Sequence, residues 1–337
     1  MDKIVIVVPC YNEQEVLRQF YAKLSNVLRE LQDCSVSCLF VDDGSTDATL
    51  QILRELSTED SNVHYRSLSR NFGKESAMLA GLDAADGDAV ILMDADLQHP
   101  PELIPEMISW WRKGYDDVCM KRTDRRDETI FKRMMANLFY RVLQMVSRCT
   151  IQRNVGDFRL LDRRCVAALR LVRENQRFTK GLFTWIGFRK KELPFHVQPR
   201  AAGKTTWNYF ALYNLAVEGL TSFTTAPLRL TTFLGLAVSL LAISYMFIVL
   251  INALLYGDPV AGYPTLMTVM LFLGGVQLLS LGILGEYLGR VFMESKQRPI
   301  YLVAEADGKD VLYAPEDSPE RRIVRSVEKR GQLDETE

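Results

Sequence analysis

The chain has 337 residues, enough for one sizeable domain plus something extra. A formal charge of -1 points to no nucleic-acid partner, but that figure averages a very uneven chain. Charged residues are frequent up to about Arg229, nearly vanish from there to Glu286, and dominate the tail, so a soluble part and a lipid-facing part share one polypeptide. The six cysteines, Cys10, Cys34, Cys38, Cys119, Cys149 and Cys165, complete no zinc pattern and read as reduced, mostly buried thiols rather than a disulfide framework.

In chain order, Ile4–Val8 is an apolar, β-branched run that fits a strand buried on both faces. It is too short for a signal-peptide core and no small-residue cleavage site follows, so the main domain is expected on the cytosolic side. Glu15–Leu31 carries a helical apolar period, Ser37–Val41 a second strand, and Thr49–Leu56 a second helix. Val63–Leu68 reads as a strand, Lys74–Ala84 as a helix, Ala89–Met93 as a strand, Glu102–Lys113 as a helix and Asp117–Met120 as a strand. Such alternation predicts a mainly parallel, Rossmann-like α/β sheet, whose ligands bind beyond the carboxyl ends of the strands. Polar residues gather at those ends: Tyr11-Asn12-Glu13, Asp42-Asp43, Arg70-Asn71, Asp94 with Asp96, and Arg122.

Glu128–Arg148 places Phe131, Met135, Leu138 and Val142 on one helical face among basic residues, and reads as an amphipathic helix in a membrane interface. Leu230–Leu255 and Leu266–Leu288 each exceed the roughly 20 residues that span a bilayer core. Arg229 before the first, with Arg290, Lys296 and Arg298 after the second, puts both termini in the cytosol. Gly282, Gly285 and Gly289 are small residues that let helices approach closely. From Glu305 the charged, weakly patterned tail is expected to be flexible.

Asp94-Ala95-Asp96 follows an apolar strand, and strand alternation would point both carboxylates the same way. Adjacent carboxylates repel unless a cation or a raised pKa relieves them, and a divalent ion shared with substrate phosphates is the usual solution. Asp42-Asp43-Gly44-Ser45 offers carboxylates for a base or ribose, or for capping the helix that begins near Thr46. Pro9-Cys10-Tyr11-Asn12-Glu13 is not the G-x-G-x-x-G turn of a dinucleotide enzyme, and no P-loop follows any strand. His99, beside the acidic triplet, reads as a surface or hydrogen-bonding residue rather than a ligand.

Together these motifs resemble the family-2 glycosyltransferases of the GT-A fold. Arg70-Asn71-Phe72-Gly73-Lys74 and Asp94-Ala95-Asp96-Leu97-Gln98 carry the core of the likeness. Lys121-Arg122-Thr123-Asp124-Arg125, Gly156-Asp157-Phe158-Arg159-Leu160 and Arg200-Ala201-Ala202-Gly203-Lys204 are similar to the polyprenyl-phosphate branch, nearest the bactoprenol (undecaprenyl-phosphate) glucosyltransferases, with the dolichyl-phosphate mannose synthases as further relatives. The resemblance implies that Pro9, Tyr11, Glu13, Asp42, Lys74, Asp94 and Gln98 bind the nucleotide-sugar, Asp42 through its base. It implies Asp96 as ligand of a Mg²⁺ or Mn²⁺ ion with Asp94 behind it or on the sugar, Arg122, Arg200 and Lys204 as phosphate contacts, and Asp157 as the catalytic carboxylate. A phosphate acceptor, with its second pKa near ~6, is already largely ionised at neutral pH, which leaves Asp157 little proton to remove.

The resulting expectation is a nucleotide-sugar-binding core over 1–127, an acceptor region over 128–228, two membrane helices over 229–290 and a charged cytosolic tail over 291–337. The expected activity is inverting, metal-dependent transfer of one sugar, glucose from UDP-glucose first, to undecaprenyl phosphate at the inner membrane, by a homo-oligomer. GDP-mannose, UDP-GlcNAc and a UDP-aminoarabinose derivative are the rival donors. A non-catalytic membrane scaffold that binds nucleotide-sugar is the rival from another class.

Overall fold

The computed structural model describes residues 1–123 except 32, residues 155–195 except 176, residues 262–313, and scattered positions between 228 and 255. The helix expected over 128–148, Arg200, Lys204 and Trp207 lie outside the described residues.

The core is a sheet of β1 (Asp2–Cys10), β2 (Cys34–Asp42), β3 (Val63–Leu68), β4 (Ala89–Leu92), β5 (Asp117–Arg122), β6 (Val155–Asp162), β7 (Lys190–Phe195), β8 (Val303–Ala306) and β9 (Lys309–Tyr313). Their spatial order is β7-β5-β6-β4-β1-β2-β3-β8-β9. The strands read from apolar runs do pair in parallel, β1 with β2 and β4, and β2 with β3. The expectation of a mainly parallel sheet needs correction, however: β6 runs antiparallel to β4 and β5, and β8 antiparallel to β3 and β9, so the sheet is mixed. The tail is corrected too. Residues 303–313 are an ordered hairpin that extends the sheet edge, where the charge pattern predicted a flexible end. Glu305 explains the difference, since Arg54 pairs with it and the Tyr65 hydroxyl donates to it at 2.5 Å, leaving few of its charges in water.

Strand alternation sorts the core onto two faces. Ile4, Ile6 and Val8 pack with α1 (Leu17–Glu30), α2 (Thr49–Glu59) and α4 (Ile104–Arg112). Val5 and Val7 pack with α3 (Lys74–Ala84), α5 (Arg163–Leu171), α6 (Thr179–Trp185) and Tyr301. Helix α3 lies so close to β1 that a Cβ on Gly81 would sit 2.2 Å from a Val7 methyl carbon. Five of the cysteines are free and buried, as their scatter suggested.

A further helix, α7 (Tyr263–Ser295), includes Phe272–Ser295, which is long and apolar enough to cross a membrane by length and composition. Its described side chains are largely exposed, Leu278 at 72% and Leu288 at 69%. It is the one such helix among the described residues. The first expected span falls mostly outside them, and the positions described there are helical.

Two outcomes follow from this packing. Gly81→Val should overpack the α3–β1 contact and destabilise the domain by about 1–3 kcal/mol in denaturant unfolding; an unchanged midpoint would show that the contact gives way. Arg54 and the Tyr65 hydroxyl hold the Glu305 carboxyl below its usual value of 4.5. Its contribution to stability is therefore full above that value and lost as pH falls below it. Glu305→Gln should flatten that acid-side loss, and equal pH slopes in both proteins would contradict it.

Candidate active site

The parallel strands β4, β1, β2 and β3 deliver their carboxyl ends to one edge, and the strand order reverses between β1 and β4. A cleft of about 280 Å³ opens there, lined among others by Pro9, Tyr11, Glu13, Asn71, Lys74, Asp94 and Asp96. This is where an open α/β sheet places its ligands.

Three loops form the walls. After β1, Asn12 adopts a left-handed φ of 55° and its side chain accepts the Thr46 N–H at 2.9 Å. Its own N–H donates to the Ser45 hydroxyl at 2.9 Å, which joins the first two strand ends. After β2, Asp43 turns into the cleft and accepts the N–H groups of Phe72 at 2.7 Å and Gly73 at 2.9 Å. Burial raises its carboxyl above the usual value although both bonds oppose that. Gly44 has φ 65°, and a Cβ there would lie 2.4 Å from the Arg70 carbonyl carbon, so the second and third loops touch only because it is glycine.

Asp42 has a different position from the one its motif suggested. It is buried and absent from the cleft wall; the Ser45 N–H donates to one oxygen at 3.1 Å and the Ser67 hydroxyl to the other at 2.7 Å. Neither Asp42 nor Asp43 caps α2, where the Asp47 carboxylate instead accepts the Thr49 N–H at 2.9 Å.

The third loop carries the acidic triplet. Strand β4 ends at Leu92, so strand alternation does not aim Asp94 and Asp96; a turn does, with Leu97 at φ 61°. Within it the Gln98 N–H donates to Asp96 at 3.1 Å. The cation relieving this acidic wall is Lys74, the first residue of α3. Its ammonium lies 2.6 Å from Asp94 and 2.8 Å from Asp157, which arrives from β6. Burial acts to raise both carboxyls, yet Lys74 outweighs it and holds each below the ordinary carboxylate range. Burial likewise works against the Lys74 ammonium, and the two carboxylates overcome it and raise its pKa. The second Asp157 oxygen, Oδ1, is buried with no hydrogen-bond partner among the described residues.

His99 is no surface residue. It is buried, its Nδ1 accepts the Asp94 N–H at 3.2 Å, and its ring stacks on Phe158 at 4.9 Å. Burial pushes its pKa down, so the neutral ring serves as a fixed acceptor that orients the triplet. Arg122 ends β5 with its Nε buried, near enough to act on the His99 charge. Arg159 supports β6 from beneath, paired with Asp117 at 3.0 Å and stacked on Phe183 at 3.6 Å.

No group of three His, Cys, Asp or Glu side chains forms a metal cage among the described residues. Asp94 and Asp96 on one cleft wall nonetheless fit a hard divalent ion, which takes one or two carboxylates and completes its shell with water and substrate phosphate.

Residues 5–170 match the family model described as glycosyl transferase family 2, and residues 226–291 match the GtrB C-terminal hairpin. A bactoprenol glucosyl transferase of Shigella phage SfV is 45% identical over 301 residues, covering 89% of this chain and 98% of that protein. A prophage bactoprenol glucosyl transferase homolog of Escherichia coli K12 is 43% identical over 301 residues, with the same two coverages of 89% and 98%. An uncharacterized glycosyltransferase of Synechocystis is 45% identical over 310 residues, 92% of this chain and 97% of that protein.

The Lys74 bridge can be weighed directly. Lys74→Met should cost about 1–3 kcal/mol of unfolding free energy by leaving carboxylates without their cation, and adding Asp157→Asn should recover part of that loss. Strictly additive losses would contradict the bridge.

Proposed function

The chain belongs to glycosyl transferase family 2, and we propose that it transfers one glucosyl unit from UDP-glucose to undecaprenyl phosphate, with inversion, at the cytosolic face of a membrane. The observation that carries this reading is the cleft in which Lys74 bridges Asp94 and Asp157 next to Asp96. The names of the bactoprenol glucosyl transferase relatives, similar over nearly their whole length, support the sugar and the lipid. The hairpin match over 226–291 and the apolar helix Phe272–Ser295 support two membrane-spanning helices with the catalytic domain in the cytosol. Gly282, Gly285 and Gly289 have nothing within 4 Å where a Cβ would stand, an open strip on which copies of the chain would assemble.

In this reading Pro9, Tyr11 and Glu13 bind the nucleotide, with Asp43 holding the Phe72–Gly73 backbone that shapes the opposite wall. Asp42 contributes by fixing the loop after β2 from below. Asp96, with Asp94 beside it, would hold Mg²⁺ or Mn²⁺, which supplies charge neutralisation for the departing diphosphate. Gln98 fixes the Asp96 carboxylate through its N–H. Lys74 and Arg122 add fixed positive charge, and Arg200 and Lys204 are assigned to the phosphates by their motif alone.

Asp157 is the residue whose role changes most. A carboxylate held in its ionised form by an ammonium at 2.8 Å is a weak proton acceptor. The acceptor phosphate is already ionised at neutral pH and does not require a base. Asp157 therefore positions Lys74 against the reacting centre, and its unpartnered Oδ1 is available to a sugar hydroxyl. A donor other than UDP-glucose would use the same groups, so donor identity rests on the relatives rather than on this cleft.

The test is membranes carrying the protein, supplied with radiolabelled UDP-glucose and undecaprenyl phosphate. Label should enter the lipid phase, stop when divalent ions are chelated, and fall at least about 100-fold in Asp96→Asn. No lipid label with any common nucleotide-sugar would sink the transferase reading, and full activity in Asp96→Asn would sink the site assignment.

A further inference from the structure

We infer that the short segment linking the apolar helix to the C-terminal hairpin is a strut that sets the cleft against the membrane surface, with Tyr301 as its positioning residue. The inference rests on the transferase reading above and deepens it.

Helix α7 ends at Ser295, and Tyr301 follows six residues later, a reach of at most about 20 Å. Between them, Lys296, Gln297 and Arg298 are exposed, after which the chain enters the domain. Tyr301 is fully buried on the α3 face of the sheet, and its hydroxyl donates to Asp83 at 2.6 Å. Arg173, after α5, grips the same carboxylate with two bonds at 2.6 and 3.0 Å. One residue beyond Tyr301, the Leu302 carbonyl accepts the Ser69 N–H at 2.9 Å. The helix end is held separately: Glu294 accepts the Asn175 N–H at 2.8 Å and its side-chain amide at 3.2 Å.

These contacts converge on the cleft. Asp83 lies near the far end of the 11-residue helix whose first residue is Lys74, so about 16 Å of rigid helix joins the Tyr301 anchor to the carboxylate bridge. Ser69 immediately precedes the Arg70–Gly73 loop, of which Asn71 and Gly73 line the cleft. A single stretch of chain leaving the apolar helix thus supports two walls of the site. A polar acceptor head on a membrane-bound tail meets the donor only at the height the bilayer allows. Fixing the cleft to the helix end would remove the orientational freedom that transfer would otherwise have to overcome. A buried Tyr–Asp–Arg cluster suits this role because it is directional, whereas apolar packing alone would let the helix slide.

The experiment compares two acceptors with intact protein: undecaprenyl phosphate in phospholipid vesicles, and a short-chain prenyl phosphate dispersed in detergent. Tyr301→Phe keeps the ring and deletes the hydroxyl; Glu294→Gln weakens the other tether at an exposed site. Each should lower the vesicle rate several-fold to about 10-fold while the short-chain rate stays within twofold of the unaltered protein. Thermal unfolding accompanies both, so that a damaged fold is recognised by loss of both rates together. Equal losses with both acceptors, or no loss with either, would overturn the strut. Absence of transfer to either acceptor by the unaltered protein would overturn the transferase reading and the inference with it.

Discussion

The site depends on one cation between two carboxylates. Lys74 sits 2.6 Å from Asp94 and 2.8 Å from Asp157. Those three residues come from different places: the start of α3, the turn after β4, and the strand β6 that enters the sheet antiparallel. Without the ammonium, two partly buried carboxylates would face each other across a cleft that already holds Asp96, and one would take up a proton. With it, all the negative charge stays in place on the donor side of the site. That arrangement explains why the elements around it are so constrained. Gly73, at φ 95°, starts α3 with Lys74 in the cleft, and Gly81 lets the helix press on β1. His99 fixes the turn, and the Arg159–Asp117 pair supports β6 from below.

The first half of the fold was legible because its strands are buried on both faces and its helices are amphipathic, so two different periods mark them clearly. Lys74–Ala84 and Val63–Leu68 fall where the pattern placed them, and β1, β2 and β5 extend a few residues beyond it. Strands β6 and β7 were missed as strands. Val155–Asp162 alternates imperfectly because Arg159 is buried, and only its ion pair with Asp117 makes that burial tolerable. The hairpin at 303–313 was hidden by charge, since Glu305 and Asp307 look solvated until Arg54, Tyr65 and His64 are brought to them from 240 residues away in sequence.

The site divides in the same way. Pro9, Tyr11, Glu13, Lys74, Asp94 and Asp96 reach one cleft, which follows from their common place at strand ends. The Asp42–Asp43 order does not follow from sequence, because which of two adjacent carboxylates turns inward depends on where the strand stops. His99 carried one usable signal, its position five residues after Asp94 in a turn rich in backbone donors. The coupling of Lys74 to Asp157 has no local signal at all, because the partners are 83 positions apart.

The most direct measurement of this account is a carbon-13 NMR titration of the Asp157 carboxyl in the folded protein, assigned by its loss in Asp157→Asn. The Lys74 bridge requires a midpoint below the ordinary value of 3.8, moving upward in Lys74→Met. A midpoint at or above that value in the unaltered protein would show that Asp157 is not held as an ion pair, and would return it to the role of proton acceptor.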